Sequence, residues 1–319
     1  LEQSQADVVA LRKQLREPTV VGEAIAASID RGTDSLARVM ARSDGFQLTA
    51  EENTGAHHYA NTVFNILRGG IFNDQNRVSG ADFAATVRWF NQRLYEEHAS
   101  WFADLPESID YLRLQTLVKE RGDLQLERLS LEYLPITFGR RHGDPSRPWN
   151  HFAIKVRDED GNRLLSYQGN WRDIFQNWEA LGHSYPVFIE GMIAKFVNAS
   201  TMDGYNPYRI TKQGIDWEVE DPEDPEDPWS NIGYWGDHQI IYQQKLLEMS
   251  MQYHPDSLPA LLHRPIFCYA NVPYRIKPFG AIVRDPKSTV EYDAVLAREI
   301  EQRVAANGAD GKLVLDSSG

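Results

Sequence analysis

The sequence predicts a mostly α-helical fold made of helical hairpins, with one small β-hairpin insertion. Three observations carry this reading. Apolar residues recur at helical spacing through most of the chain, and the connections between these stretches are short. Strand-like alternation is confined to about residues 131–168. The expected organisation is an N-terminal helical segment over 1–50 and a larger domain over 51–319 that carries the insertion.

Taken in order, Val8, Val9, Leu11 and Leu15 stripe one helix, and Ile25, Ile29, Leu36 and Val39–Met40 stripe another. Asn61–Leu67 is a further helical stretch that ends at Gly69–Gly70. Phe83, Val87, Phe90, Leu94 and Trp101 predict one long helix from about Ala81 to Phe102, and Pro106 opens the next, over Glu107–Arg121. Leu131–Phe138 and Phe152–Val156 alternate as strands do, and Asp160–Gly161 turns the chain into Leu164–Tyr167. Helices resume at Trp171. Pro186 takes a first-turn position ahead of Ile189, Ile193, Phe196 and Val197. A long aromatic and acidic loop fills 201–235, followed by a helix over Asp237–Tyr253 that buries Ile240–Ile241 and Leu246–Leu247. Ser288-Thr-Val-Glu291 has capping-box spacing for a last helix to about Ala305.

Composition narrows the function classes. An apolar fraction of 42%, with 8 Trp, 14 Tyr and 13 Phe, supports a real core and leaves aromatic surfaces to spare. The formal charge of −13 opposes binding to phosphate backbones, so nucleic acid is not an expected partner. No stretch approaches the roughly 20 apolar residues that span a bilayer. A single cysteine, Cys268, leaves no internal disulfide and fits a reducing, cytoplasmic compartment. Its neighbours Phe267 and Tyr269 make it a buried small hydrophobe. The start at Leu1 and the strand-like ending Leu313-Val-Leu-Asp-Ser-Ser-Gly319 lead us to expect a segment of a longer polypeptide.

Phosphate loops, the G-x-S-x-G elbow, H-E-x-x-H and paired Cys-x-x-Cys are absent, which removes nucleotide, serine-hydrolase and zinc chemistry. His57 and His58 are adjacent and so cannot share a metal face on a helix, and no metal or cofactor is expected. The cations of Arg140–Asn150 suit either an anionic ligand or a solvated loop, and the acidic prolines of Asp221–Pro228 suit a solvated loop better than calcium.

Polar groups among aromatics concentrate in three places. Gly169-Asn-Trp-Arg-Asp-Ile-Phe-Gln-Asn-Trp-Glu179 puts Asn170, Asp173 and Asn177 on one face at a helix start, beside Arg172. These side chains bind sugar hydroxyls as paired donors and acceptors, or else they cap the helix and form a structural Arg–Asp pair. Asp203-Gly-Tyr-Asn-Pro-Tyr-Arg209 brings Tyr205, Tyr208 and Arg209 to a loop, and Gly233-Tyr-Trp-Gly-Asp-His-Gln239 places Trp235, Asp237 and His238 at a helix start. Asp216 and Glu218 flank Trp217, where a carboxyl of raised pKa suits a general acid and a plain strand suits a solvent face.

The order Trp-Arg-Asp-x-x-Gln-Asn, Tyr-Pro before an apolar helix, Asp-Gly-Tyr-Asn-Pro-Tyr and Gly-Asp-His resembles the central part of the cellobiose-phosphorylase-like branch of the six-hairpin glycosidases. The resemblance covers roughly Gly169–Glu248. It implies an incomplete (α/α)6 toroid from an inverting glycoside hydrolase or phosphorylase that acts on gluco-configured oligosaccharides, with inorganic phosphate as co-substrate in the second case. Trp171, Arg172, Asp173, Asn177, Tyr205, Tyr208, Arg209, Trp235 and His238 would hold the sugar, and Asp237 and Glu218 are the candidate catalytic carboxylates. Asn177 stands where the family has Asp. The family's Trp-Asn-Asp general-acid motif does not occur, which places that acid past Gly319. Two other readings stay open: a non-catalytic carbohydrate-binding domain, and a structural scaffold whose aromatics are all core.

Overall fold

The computed structural model describes residues 5–74, 76–137, 164–207, 209–216 and 239–314. The fold is mostly α, with small antiparallel strand pairs, and it divides into two compact units, Leu1–Val63 and Phe64–Gly319.

The first unit contains α1 (Gln5–Gln14), α2 (Pro18–Arg42) and the start of α3 (Glu52–Gly69). The expected helices form, but their stripes do not enter a core: Val8, Val9, Leu11, Leu15, Ile25, Ile29 and Leu36 are exposed. Burial begins only at Met40, where Gly45 folds back so tightly that a Cβ there would lie 2.4 Å from the Met40 methyl. Phe46 then meets Tyr59 with ring centroids 5.6 Å apart.

The second unit opens with β1 (Ile71–Phe72), β2 (Arg77–Ser79), α4 (Gly80–Phe90), α5 (Gln92–Glu97), α6 (Ala99–Ala103), β3 (Ser108–Asp110), α7 (Tyr111–Arg121) and α8 (Leu124–Glu132). The single helix expected over 81–102 is thus three. Asn91 leaves helical geometry (φ −147°), and its side chain accepts the Leu94 amide at 3.0 Å to start α5. His98 makes the second break. Residues 108–110 pair with β2, so α7 begins at Tyr111, capped by Asp110 (3.1 Å to the Arg113 amide), and not at Glu107. It ends at Gly122, whose φ of +70° is the left-handed cap glycine favours.

Leu131 and Glu132 close α8, and among the described residues of that stretch only β4 (Ile136–Thr137) is strand, paired antiparallel with β1. The expected partner Phe152–Val156 lies outside the described residues, and 164–167 is not strand. The strand there is β5 (Gln168–Asn170). It is followed by α9 (Trp171–Ser184), a 3₁₀ turn at Pro186–Phe188, α10 (Ile189–Ala199), β6 (Arg209–Thr211) and β7 (Gly214–Asp216). These three strands form one antiparallel sheet in the order β5-β6-β7, so the region after 201 is not simply loop. Last come α11 (Gln239–Tyr253), α12 (Ser257–Leu262), β8 (Tyr269–Ala270), β9 (Tyr274–Ile276), α13 (Phe279–Arg284), β10 (Val290–Tyr292), α14 (Ala294–Asn307), a 3₁₀ turn at Ala309–Lys312 and β11 (Leu313–Val314). In α11 Leu246 is buried, whereas Ile240 and Ile241 face solvent. The capping box expected at Ser288–Glu291 is overridden by strand pairing of β10 with β9, and Asp293 caps α14 instead, at 3.0 Å to the Val295 and Leu296 amides.

Aromatic rings fill the core of this unit. Phe72 stacks on Phe188 at 3.8 Å, Tyr111 meets Phe188 at 4.5 Å, and Phe175 lies between Trp178 (5.1 Å) and Phe196 (4.9 Å). Each buried ring contributes about 1.5–3 kcal/mol by leaving water. A second cluster of Tyr205, Ala270, Val272 and Tyr274, with Leu313 and Ile215 against it, ties the β5–β7 sheet region to the C-terminal elements.

Asp123 starts α8 by accepting the Gln125 (2.8 Å) and Leu126 (3.1 Å) amides, and it also meets His98 Nε2 at 3.0 Å. Burial pushes its carboxyl up, but the His98 contact and the two amides outweigh this and hold its pKa below the usual carboxylate value. Asp123→Ala should lower stability by about 1 kcal/mol at neutral pH, as for other lost caps. A depressed folded pKa stabilises fully above the unfolded value of about 3.9 and ceases to do so as pH falls through the folded value. Urea melts of wild type and variant should therefore differ at pH 7 and converge toward pH 2; a gap that persists in acid would refute the ionic account.

Candidate functional site

The functional side chains have to be assembled from the start of α9 outward. Asn170 ends β5 and caps α9, its side chain accepting the Arg172 amide at 3.1 Å. Arg172 and Asp173 stand in the first helical turn, partly exposed, with Arg172 Nε 3.7 Å from Asp173 Oδ1. One turn on from Asp173, Asn177 accepts a hydrogen bond from Arg68 Nε at 3.2 Å. The capping and pairing roles therefore exist, while Arg172 and Asp173 keep part of their surface in solvent.

Several expected ligand residues lie elsewhere. Trp171 is 0% exposed, packed against Phe175 (4.5 Å) and Phe196 (5.2 Å), so it offers no ring face to a sugar. The physical reason is helical period: Trp171, Ile174, Phe175 and Trp178 share the face of α9 that meets α10 and α11. Tyr205 is likewise core, tilted against Tyr274 with centroids 6.3 Å apart. Its loop is closed by Thr201, which accepts the Tyr205 amide at 2.8 Å. Tyr208, Glu218, Trp235, Asp237 and His238 lie outside the described residues, as do Trp217 and the loop over 140–150. Cys268 is buried, and burial pushes its thiol pKa well up, as fits an inert small hydrophobe.

Arg209 does reach a site. It pairs with Asn170 across β5–β6, and Gln168 pairs with Thr211. Cross-strand partners share a sheet face, and Gln168, Arg209 and Thr211 together form one wall of a cleft of about 780 Å³. A second wall is the end of α4 with Arg88 and Trp89, continued by Gln92; a third is the C-terminal turn with Asp310 and Lys312; and the floor is Glu132, Lys195 and Asn198. This volume is that of small-ligand sites, roughly 300–1,000 Å³.

The walls are stitched to one another. Trp89 Nε1 donates to the Gln213 carbonyl at 2.8 Å, and Lys212 Nζ meets Asp82 Oδ1 at 2.5 Å, so α4 is tied to the β6–β7 turn at two points. Asp82 in turn accepts from Tyr133 Oη at 2.6 Å, and burial together with that carboxylate pushes the Tyr133 pKa well up. Lys312 Nζ donates to the Ile215 carbonyl at 3.1 Å, tying the C-terminal turn to β7. Gly308, at φ +88°, lets that turn approach α4 closely: a Cβ there would lie 2.5 Å from the Trp89 carbonyl oxygen.

Buried charges make the floor. Arg128, 1% exposed, donates to Glu132 Oε1 at 3.1 Å and to Asp310 Oδ2. Burial pulls its pKa down, and the Asp310 and Glu132 carboxylates more than reverse that, so it stays charged. Asn198 donates to the same Glu132 oxygen at 2.6 Å. Lys195 Nζ contacts the Glu132 carbonyl at 3.4 Å and lies 5.6 Å from the Phe90 ring centroid. Burial raises the Asp310 pKa, Arg128 opposes this and Glu132 adds to it, leaving a carboxyl above its ordinary range at the edge of the cleft. Among the described residues no group of three or more His, Cys, Asp or Glu is placed to hold a metal ion. Nor is any described helix long and apolar enough to cross a membrane.

Residues 72–135 match the family model described as glycoside hydrolase family 149 insertion domain 1. No curated protein matches the chain. The matched span runs from β1 through α8 and so supplies Arg88, Trp89 and Glu132, one wall and part of the floor of the cleft, together with Arg128, which pairs with Glu132. The match supports a glycosidase-related domain.

None of Arg88, Trp89, Glu132, Lys195 or Asp310 is marked by a local motif, since they come from separate helices and meet only in the fold. Trp89 carried the one available signal, a large aromatic off the Phe83–Val87–Phe90 stripe. Arg128→Met should lower stability by about 3–5 kcal/mol, because two carboxylates would remain buried without their cation. Adding Glu132→Gln and Asp310→Asn to that variant should recover much of the loss in chemical denaturation. No recovery would show that the guanidinium acts through packing alone.

Proposed function

We propose that this chain is part of an inverting glycoside hydrolase or glycoside phosphorylase that acts on gluco-configured oligosaccharides. The observation that carries the proposal is a juxtaposition. A segment similar to a glycoside hydrolase insertion domain forms one side of a polar cleft. The opposite side leads within two residues into the Trp-Arg-Asp helix start, through Asn170 paired with Arg209. In this reading residues 51–319 form part of an (α/α)6 toroid of the cellobiose-phosphorylase-like branch, on the resemblance over Gly169–Glu248.

Arg172 and Asp173 are the sugar contacts in this reading, as a donor fork and an acceptor pair held at a capped helix end. Arg209 and Gln168 extend that polar surface along the sheet. The reaction proceeds by inversion: a carboxylic acid protonates the glycosidic oxygen while water, activated by a second carboxylate, or phosphate itself attacks from the opposite face. Asp237 and Glu218 are the proposed carboxylates on this chain. For a phosphorylase, Arg88 and Arg209 supply cations at the cleft for inorganic phosphate. A pure scaffold accounts for buried Trp171 and Tyr205 and for the Trp89 Nε1 bond to Gln213, but it does not need the indole ring itself, 57% exposed beside the cleft.

Two measurements test this. Assay of the full-length parent polypeptide on a panel of glucosides, with and without phosphate, should give turnover; turnover that needs no phosphate removes the phosphorylase form. Arg172→Ala should weaken oligosaccharide binding at least about tenfold while changing unfolding free energy by no more than about 1 kcal/mol, as at other partly exposed sites. A large stability loss with unchanged binding would make Arg172–Asp173 a structural pair.

A further inference from the structure

We infer that Trp89 is a stacking platform for an oligosaccharide chain, so that the segment similar to an insertion domain adds a distal sugar subsite to the cleft. The inference rests on the carbohydrate reading above and goes beyond it, because it assigns a binding role to residues of α4 that the Trp-Arg-Asp motif does not touch.

Exposure is the first observation. Trp89 is 57% exposed although it sits beside Phe90, which turns inward over Lys195. Successive helical residues point about 100° apart, so the end of α4 lays half-buried Phe90 against Lys195 in the cleft and leaves Trp89 the more exposed ring. An exposed indole alone would signify little. This one is also held. Its Nε1 donates to the Gln213 carbonyl at 2.8 Å, and its own backbone carbonyl is braced by the close approach of Gly308. Asn91 stops the helix two residues on. The ring therefore has little rotamer freedom left to lose when a ligand arrives, which favours binding at a rigid aromatic.

The surroundings specify the chemistry. A pyranose offers a face of C–H groups to an indole and a rim of hydroxyls to polar side chains. Arg88 and Gln92 flank Trp89 on one wall, and Gln168 and Thr211 face them from the sheet. Arg88 is oriented by Tyr95, with its guanidinium 5.6 Å from that ring centroid. The occupant that fits is a neutral, extended gluco-oligosaccharide. Its near end would lie toward Arg172 and Arg209, and a farther unit would lie on Trp89. A subsite of this kind sets preference for chain length.

Isothermal titration of the 319-residue chain with gluco-oligosaccharides of two to six units, in malto-, cello- and laminari-linked series, tests this. Wild type should gain affinity with length, and Trp89→Ala should lose about tenfold for the longest members relative to Trp89→Phe, which lacks the same Nε1 bond, while the two variants bind the disaccharide alike. Trp89→Phe keeps a ring in place of the exposed indole and should retain part of the gain, which guards against misfolding of the alanine variant. Equal affinities of wild type and both variants at every length would overturn the inference alone. So would a loss that is the same for the disaccharide as for the hexasaccharide. Failure of wild type to bind any member would overturn the carbohydrate reading and this subsite with it.

Discussion

Arg128 donates from the interior to two carboxylates far apart in sequence, Glu132 four residues on and Asp310 in the C-terminal turn. A guanidinium at 1% exposure cannot be solvated by water, and neither carboxylate is well exposed. Each group is tolerable only because the others are present. This mutual requirement fixes the end of α8 against the turn after α14, and thereby sets the floor of the cleft. Asn198 of α10 donates to the same Glu132 carboxylate and Lys195 of α10 to the Glu132 backbone carbonyl, so a third element is registered at the same residue.

The cleft rests on that floor, and hydrogen bonds keep its walls open. Trp89 to Gln213, Lys212 to Asp82 and Lys312 to Ile215 join α4, the β6–β7 turn and the C-terminal turn. At about 1 kcal/mol net each, no single bond holds the site. Together they pre-form it, so a ligand does not have to order three separate elements. Gly308 contributes by having no side chain, since any Cβ would meet the carbonyl groups at the end of α4.

Much of the fold was legible in local pattern. Helical periodicity located many of the helices of the second unit, where a core-facing helix needs an apolar stripe, but it did not mark α8, α12 or α13. Legibility failed where two local preferences competed. Asn91 lies inside an unbroken helical pattern, yet its side chain caps more effectively than it continues, and one helix became separate ones. Ser288–Glu291 has the spacing of a capping box, but pairing of β10 with β9 claimed those residues and the start moved to Asp293. In α9 the motif Trp-Arg-Asp divides between two environments: Arg172 and Asp173 stay at the surface and Trp171 goes to the core.

Sequence by itself determined the helical class, the acidic and aromatic character, and the position of the Arg172–Asp173 pair at a helix start, because these depend on spacing within a few residues. Tertiary structure alone decided which aromatics are core and which face a ligand. Exposure depends on partners such as Phe196 for Trp171 and the Gln213 carbonyl for Trp89. It also decided the cleft, whose floor and walls join residues from Arg88 to Lys312. No local spacing encodes such a meeting; it follows from burying Arg128 with two distant carboxylates and closing the chain around them.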